Sequence, residues 1–96
     1  PTLVGLAASS DEAALAIYNV LQRKGARVGE DVAVIGFNDD YYAARLHVPL
    51  TTITYDQRAF GETAVALLER RIRGESVENA FLRPHVVIRQ SCGETV

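Results

Sequence analysis

"VAVIGFNDDYYAARLHVPLTTITY", residues 32–55, carries the decision about the fold. Val32 to Gly36 is a short, unbroken apolar run, the pattern of a strand buried on both faces of a parallel sheet rather than of an alternating, half-exposed one. It breaks directly into Asn38, Asp39 and Asp40. A second strand-like run, Thr51 to Tyr55, follows Pro49, a residue that must stay outside the hydrogen-bonded ladder. The connection between the two runs has room for a turn of helix around Tyr41 to Arg45.

Working outward, Leu3 to Ala7 is another continuous apolar run, and a helix is predicted between it and Val32. Ser9 and Glu12 form an S-x-x-E capping box at its start, and Gly25 supplies a left-handed residue at its end. Strand, helix and strand in this order make a right-handed crossover, with the helix on one face of the sheet. On a helical wheel Ala13, Ala16, Ile17, Val20 and Leu21 fill one face, while Leu15 and Tyr18 join Asn19 and Gln22 on the other. That half-apolar back face reads as a protein contact. Gln57 to Arg73 is predicted as a second helix closed by Gly74, with Phe60, Ala64, Leu67, Leu68 and Ile72 in one stripe. Ala80-Phe81-Leu82 and Val86 to Gln90 read as two further short strands. The class is α/β, built on a parallel sheet.

The chain has 96 residues, 48% hydrophobic and 23% charged, which suits one small globular domain. A domain of that size buries only about 60 to 65% of its unfolded surface, so association with a partner surface is expected. Ten basic and twelve acidic residues, spread without a long run, give a net charge of −2 and no electrostatic footprint for nucleic acid or anionic lipid. Cys92 has no second cysteine to pair with, which fits a reducing cytoplasm. No leader-like segment and no apolar run near the ~20 residues of a membrane span occurs. The opening Pro1, followed at once by a strand-like run, reads as the end of a cut or processed piece.

In open parallel sheets, ligands bind outside the carboxyl ends of the strands. Three polar segments reach that edge: Ala8-Ser9-Ser10-Asp11, Phe37-Asn38-Asp39-Asp40 and Asp56-Gln57. Their short side chains suit the hydroxyls or ring nitrogens of a small polar ligand, with Phe37 or Tyr55 available for stacking. Ser9, Ser10 and Asp11 are also what a helix start wants, Asp11 being assigned first to capping or loop anchoring, and Asp39 or Asp40 could cap the turn that follows. Asn38, the first polar residue after its strand, is the better ligand candidate. Metal-dependent phosphotransfer would also want a Lys and a Ser or Thr at later strand ends; the next strand ends in Tyr55-Asp56, and no Lys follows Lys24. His47 and His85 lack ligand neighbours at metal spacing, Cys92 lacks an activating His or Lys, and no glycine-rich phosphate loop is present. The expectation is no enzyme, no metal and no cofactor.

Five segments in order resemble the C-terminal part of the effector-binding core of the lactose-repressor and galactose-repressor (LacI-type) family of bacterial transcription regulators. They are Ala7-Ala8-Ser9-Ser10-Asp11-Glu12-Ala13-Ala14, Gly29 through Asp39, Pro49-Leu50-Thr51-Thr52-Ile53, Gly61-Glu62-Thr63-Ala64, and Val86 through Ser91. The resemblance implies a core like the periplasmic sugar-binding proteins, of which residues 1–55 supply a C-terminal subdomain portion, 56–83 a segment of the N-terminal subdomain, and 84–96 a return strand and tail. It implies a sugar or nucleoside effector contacted at Ser10, Asn38 and the neighbourhood of Asp56 and Gln57, and Asp11 joins this candidate set from its place at the strand-end edge. The family's usual residue at Ser10 is Asn and at Asn38 is Asp, so a different hydroxyl orientation or a non-sugar effector stays open. It implies a homodimer or higher oligomer pairing through Leu15, Tyr18, Asn19, Tyr42 and Leu46. DNA would be read only by a headpiece that this chain does not contain. With the helix stripe of Phe60, Leu67, Leu68 and Ile72 deprived of its partner strands, a self-associated or strand-exchanged fragment is expected. The competing readings are a fragment of a periplasmic sugar-binding transport protein and a metal-dependent phosphotransfer domain.

Overall fold

The structure, a computed structural model, describes residues 4–93. Its elements run β1 (Val4–Ala7), α1 (Asp11–Arg23), β2 (Val32–Phe37), a 3-10 turn (Ala43–Arg45), β3 (Thr51–Thr54), α2 (Gln57–Ile72), β4 (His85–Val87) and a second 3-10 turn (Gln90–Cys92). The sheet order is β1-β2-β3-β4. The first three strands are parallel, with Ala7 opposite Ile35 and Ile35 opposite Thr51, and β4 joins antiparallel, with Ile53 opposite Val86. This is an α/β fold on a mostly parallel sheet. Leu3, assigned to the first strand from sequence, lies outside the described residues. Contacts divide the chain into two units, one comprising the residues up to Thr54 together with those from His85 onward, the other Tyr55–Pro84.

In the first unit, α1 starts one residue later than the capping box suggested. Ser10, not Ser9, is the N-cap, and its side chain accepts from Ala13 N at 3.0 Å. After the helix Gly25 has φ +74°, a left-handed conformation that a side chain resists. The face that α1 buries also differs from the apolar wheel. Asp11, Ala14 and Tyr18 are buried, whereas Val20 is 40% exposed. Tyr18 reaches the core because its hydroxyl finds an acceptor there, Val48 O at 2.7 Å, so the ring can be buried without stranding a polar group. Ala14, Tyr18, Val34, Ala43 and Leu50 form the core, with Ile17, Leu21 and Leu46 packed against it. β2 buries Val34 and Gly36, but every residue of β1 is exposed. The two-sided burial expected of β1 is absent because α1 packs on β2 and leaves β1, the edge strand, uncovered by any described element.

Burial of Tyr18 has a pH consequence. Removing the ring from water pushes its hydroxyl up from 10.0 to about 12, the nearby Asp11 adding to the rise. Tyr42 is also raised to about 12, by desolvation first and then by its bond to Asp40. Both groups hold their protons more tightly folded than unfolded, so their contribution to stability is complete below the unfolded value of 10.0 and is lost as pH rises toward about 12. Denaturant midpoints measured across that window are expected to fall, together with delayed tyrosinate absorbance. Midpoints that stay level there would contradict this.

In the second unit, α2 is capped by Asp56, whose side chain accepts from Ala59 N at 3.0 Å, and Gly74 follows its end at φ +83°. None of its residues is buried; Phe60, Val65, Leu68 and Ile72 are all exposed. Ala80 and Leu82 lie beside the apolar stripe, lining a small cleft of about 130 Å³ with Phe60, Thr63, Ala64 and Leu67. The strand expected at Ala80-Phe81-Leu82 does not form; residues 75–84 carry no regular structure. Hydrophobicity alone suggested a strand there, but no neighbouring strand supplies the ladder. The run from Val86 likewise pairs only through Val87 before turning into the 3-10 segment at Gln90.

Candidate functional site

The candidate site forms where β1 and β2 end side by side. Ala8 N donates to Ile35 O at 2.8 Å, which carries the pairing to the end of β1 and places the start of α1 next to the Phe37-Asn38-Asp39-Asp40 turn. Gly36 makes that proximity possible. A Cβ there would fall on Asp11 Oδ1 and lie 2.9 Å from Leu50 Cδ2.

Asp11 is fully enclosed, 0% exposed. Its Oδ1 accepts from the Thr52 hydroxyl at 2.7 Å and its Oδ2 from Asp40 N at 2.6 Å. The expectation that Asp11 touches ligand is therefore corrected: both carboxylate oxygens are engaged inside the protein, bracing α1 against β3 and against the turn. A buried acceptor so placed must be satisfied internally.

The turn itself is held at nearly every backbone atom. Asn38 and Asp39 have φ +115° and +57°, positive values that non-glycine residues adopt at an energetic cost of about 1 to 3 kcal/mol each when the surroundings over-determine them. Asn38 N donates to Ile53 O at 2.8 Å, and Asn38 O accepts from the Thr54 hydroxyl at 3.1 Å. Asp39 N donates to Thr52 Oγ1 at 3.2 Å, and Asp39 Oδ1 accepts from Arg89 Nη1 at 2.8 Å. By contrast, the half-buried side-chain amide of Asn38 forms no hydrogen bond with any described residue. Ser10 commits its oxygen to the helix cap and keeps its proton to donate. Two neutral groups, one amide and one hydroxyl, thus stand at the adjoining strand ends with hydrogen-bonding capacity left over.

The remaining candidates separate. Neither Asp39 nor Asp40 caps the 3-10 turn, whose N-cap is Tyr42 without a side-chain bond; Asp40 instead accepts from the Tyr42 hydroxyl at 3.2 Å. Asp56 and Gln57 belong to the second unit, where Asp56 caps α2 and both are exposed. Tyr55 packs its ring on Phe60 at 5.4 Å. Of the expected dimer contacts, Asn19 is exposed and Leu15, Tyr42 and Leu46 are half-buried. Tyr18 is corrected: it is 6% exposed and serves this chain's own core. Among the described residues no three His, Cys, Asp or Glu side chains converge as a metal site would need. A cleft of about 370 Å³ lies at the amino ends of β2 and β3, between Tyr18, Gln22, Arg27, His47 and Val48, away from the strand ends that gather the free polar groups.

Residues 1–92 match the family model of the periplasmic binding protein-like domain. The chain belongs to that family. Within the periplasmic binding protein-like family its relatives are LacI-type regulators. It is 36% identical over 93 residues to the HTH-type transcriptional regulator CelR of Thermobifida fusca, covering 95% of this chain and 27% of that protein. The lac repressor dimer bound to operator and the anti-inducer ONPF superposes with a TM-score of 0.84 at 31% identity, over 93% of this chain and 27% of that one. A complex of the transcriptional regulator CelR with cellobiose gives a TM-score of 0.80 at 36% identity, over 91% of this chain and 27% of that one. The chain thus spans about a quarter of the length of the curated relatives it matches. These relatives are transcription regulators, a non-enzymatic class. No helix among the described residues is long and apolar enough to cross a membrane.

Sequence reasoning missed the residues that hold the site. Thr52, Arg89 and Ser91 bind across the sheet to Asp11, Asp39 and Thr51. The available signal was two threonines opening a strand whose neighbours were apolar; buried hydroxyls at such places require partners.

Proposed function

We propose that this chain is the C-terminal part of the effector-sensing and dimerisation core of a cytoplasmic LacI-type regulator, and that it contributes Asn38 and Ser10 to the recognition of a small polar effector, sugar before nucleoside. One observation carries the reading: a strained residue whose backbone is pinned on both sides while its side-chain amide is left unused. Strain of that kind persists where a side chain has to be presented in a fixed way. Similarity to a regulator solved with cellobiose favours the sugar class. Asp56 and Gln57, which follow β3 directly in the chain, remain in the proposed ligand set, and Asp11 leaves it. Leu15, Asn19, Tyr42 and Leu46 remain in the proposed dimer surface, and Tyr18 leaves it. Residues 1–55 and 84–96 then belong to the C-terminal subdomain with its return strand, and 56–83 to a segment of the N-terminal one. Effector binding would be coupled to operator binding through a headpiece elsewhere in the protein, with a coupling of about 1 to 3 kcal/mol.

The test is a thermal-shift screen of the full-length protein against sugars, cellobiose included, and nucleosides, followed by calorimetry on the best compound. Asn38→Ala is expected to weaken that binding by about 1 to 3 kcal/mol through loss of a buried hydrogen bond. Affinity unchanged by the substitution would take Asn38 out of the site.

A further inference from the structure

Arg89 enters the turn from a distant part of the chain, 50 positions beyond Asp39. Its Nη1 donates to Asp39 Oδ1 at 2.8 Å and to Leu50 O at 2.9 Å. The base from which the side chain reaches is itself fixed. Arg89 N donates to Thr51 Oγ1 at 2.8 Å, and the Thr51 hydroxyl donates back to Arg89 O at 3.0 Å. Two residues further, Ser91 N donates to Pro49 O at 2.9 Å, while Ser91 Oγ accepts from Thr51 N at 2.7 Å and donates to Val34 O. Ser91 is fully buried. The guanidinium therefore acts from a rigid mount rather than from a swinging surface chain.

The pair is also shielded, the Arg89 and Asp39 side chains being 18% and 30% exposed. The other ion pairs among the described residues lie further out and join neighbours within five positions along the chain, such as Arg58 with Glu62. A charge-assisted bond in a partly enclosed place is stronger than those solvated ones and is comparable in size with the strain of one left-handed residue. It fastens Asp39, the residue directly after Asn38, and both have positive φ.

We propose that Arg89 is the positioning residue of this site: by clamping Asp39 to Leu50 O it holds the Asn38-Asp39 turn in its left-handed form, so that the Asn38 amide is presented ready-made. The inference rests on Asn38 being a ligand contact for its functional meaning, and on the Arg89 geometry alone for its conformational content. It also places a determinant of ligand recognition in the segment that follows β4, where no ligand contact is expected.

The test is amide hydrogen exchange on the full-length protein without added ligand. In Arg89→Met, exchange at the Asn38, Asp39 and Asp40 amides is expected to accelerate by about tenfold or more, while the Tyr18 and Val34 amides of the core keep their rates. Arg89→Lys, which keeps the charge but not the planar fork, restores part of the protection, and Asp39→Asn reproduces the local loss. Unchanged turn amides, or a uniform acceleration that includes Tyr18 and Val34, would overturn the proposal; the second result would make Arg89 a general support of the fold. Because no ligand is needed, a loosened turn in a protein that binds no tested compound counts against the effector reading alone. A firm turn in a variant that still binds counts against this inference alone.

Discussion

Asp11→Ala is expected to lower the free energy of unfolding by about 3 to 5 kcal/mol. The residue is the meeting point of three elements: it opens α1, accepts from Thr52 of β3 and accepts from the Asp40 amide of the turn. Each hydrogen bond to a charged acceptor contributes about 1.5 to 3 kcal/mol, and truncation leaves two donors facing an enclosed void that they cannot use. Relief from burying a carboxylate offsets part of this, which sets the upper bound below the simple sum. Asp11→Asn is expected to cost about 1 to 2 kcal/mol, because its amide oxygen still accepts from one of the two donors. Chemical denaturation of the full-length protein and the two variants gives the comparison. An alanine variant within about 0.5 kcal/mol of the parent, the range of an ordinary surface change, would show that Asp11 braces nothing.

Gly36→Ala is expected to cost about 2 to 4 kcal/mol, for a steric reason rather than a conformational one. Gly36 is absent from the positive-φ residues, so alanine suits its backbone. What alanine cannot find is space: the added carbon would collide with Asp11 Oδ1 and press on Leu50 Cδ2 at 2.9 Å. Leu50 is completely buried, and Asp11 is fixed by its own bonds, so neither yields easily. Gly5 provides the control. It lies on exposed β1, where a Cβ would meet nothing within 4 Å, and Gly5→Ala is expected to change stability by no more than about 0.5 kcal/mol. Equal changes at the two glycines would remove the collision from the account, because backbone entropy by itself makes Gly→Ala stabilising at both.

The two substitutions probe one structural idea. The apolar run of β2 contains a glycine because a helix start and a leucine must meet over it, and that meeting fixes where Asn38 begins. The opening stretch is therefore both a packing device and the approach to a binding edge.

Sequence alone determined the kind and order of the main elements. The continuous apolar runs became β1 and β2, the β-branched run after Pro49 became β3, and the amphipathic stretches became α1 and α2, because periodicity and turn residues act over a few positions. It also determined which polar residues follow the strands, and the ordered motifs located the family. Tertiary structure decided which of those polar residues remain free to act. Asp11 and Asn38 both stand at the strand ends by sequence, Asn38 as the better candidate; Asp11 is sealed against Thr52, 41 positions away, and Asn38 keeps an unused amide. Tyr18 was read as surface and is core, because its hydroxyl acceptor, Val48 O, lies 30 positions along the chain. The strand expected at Ala80-Phe81-Leu82 had the composition but no neighbour to pair with. Hydrogen-bond satisfaction is a property of where the chain returns in space, and no local spacing of residues encodes it.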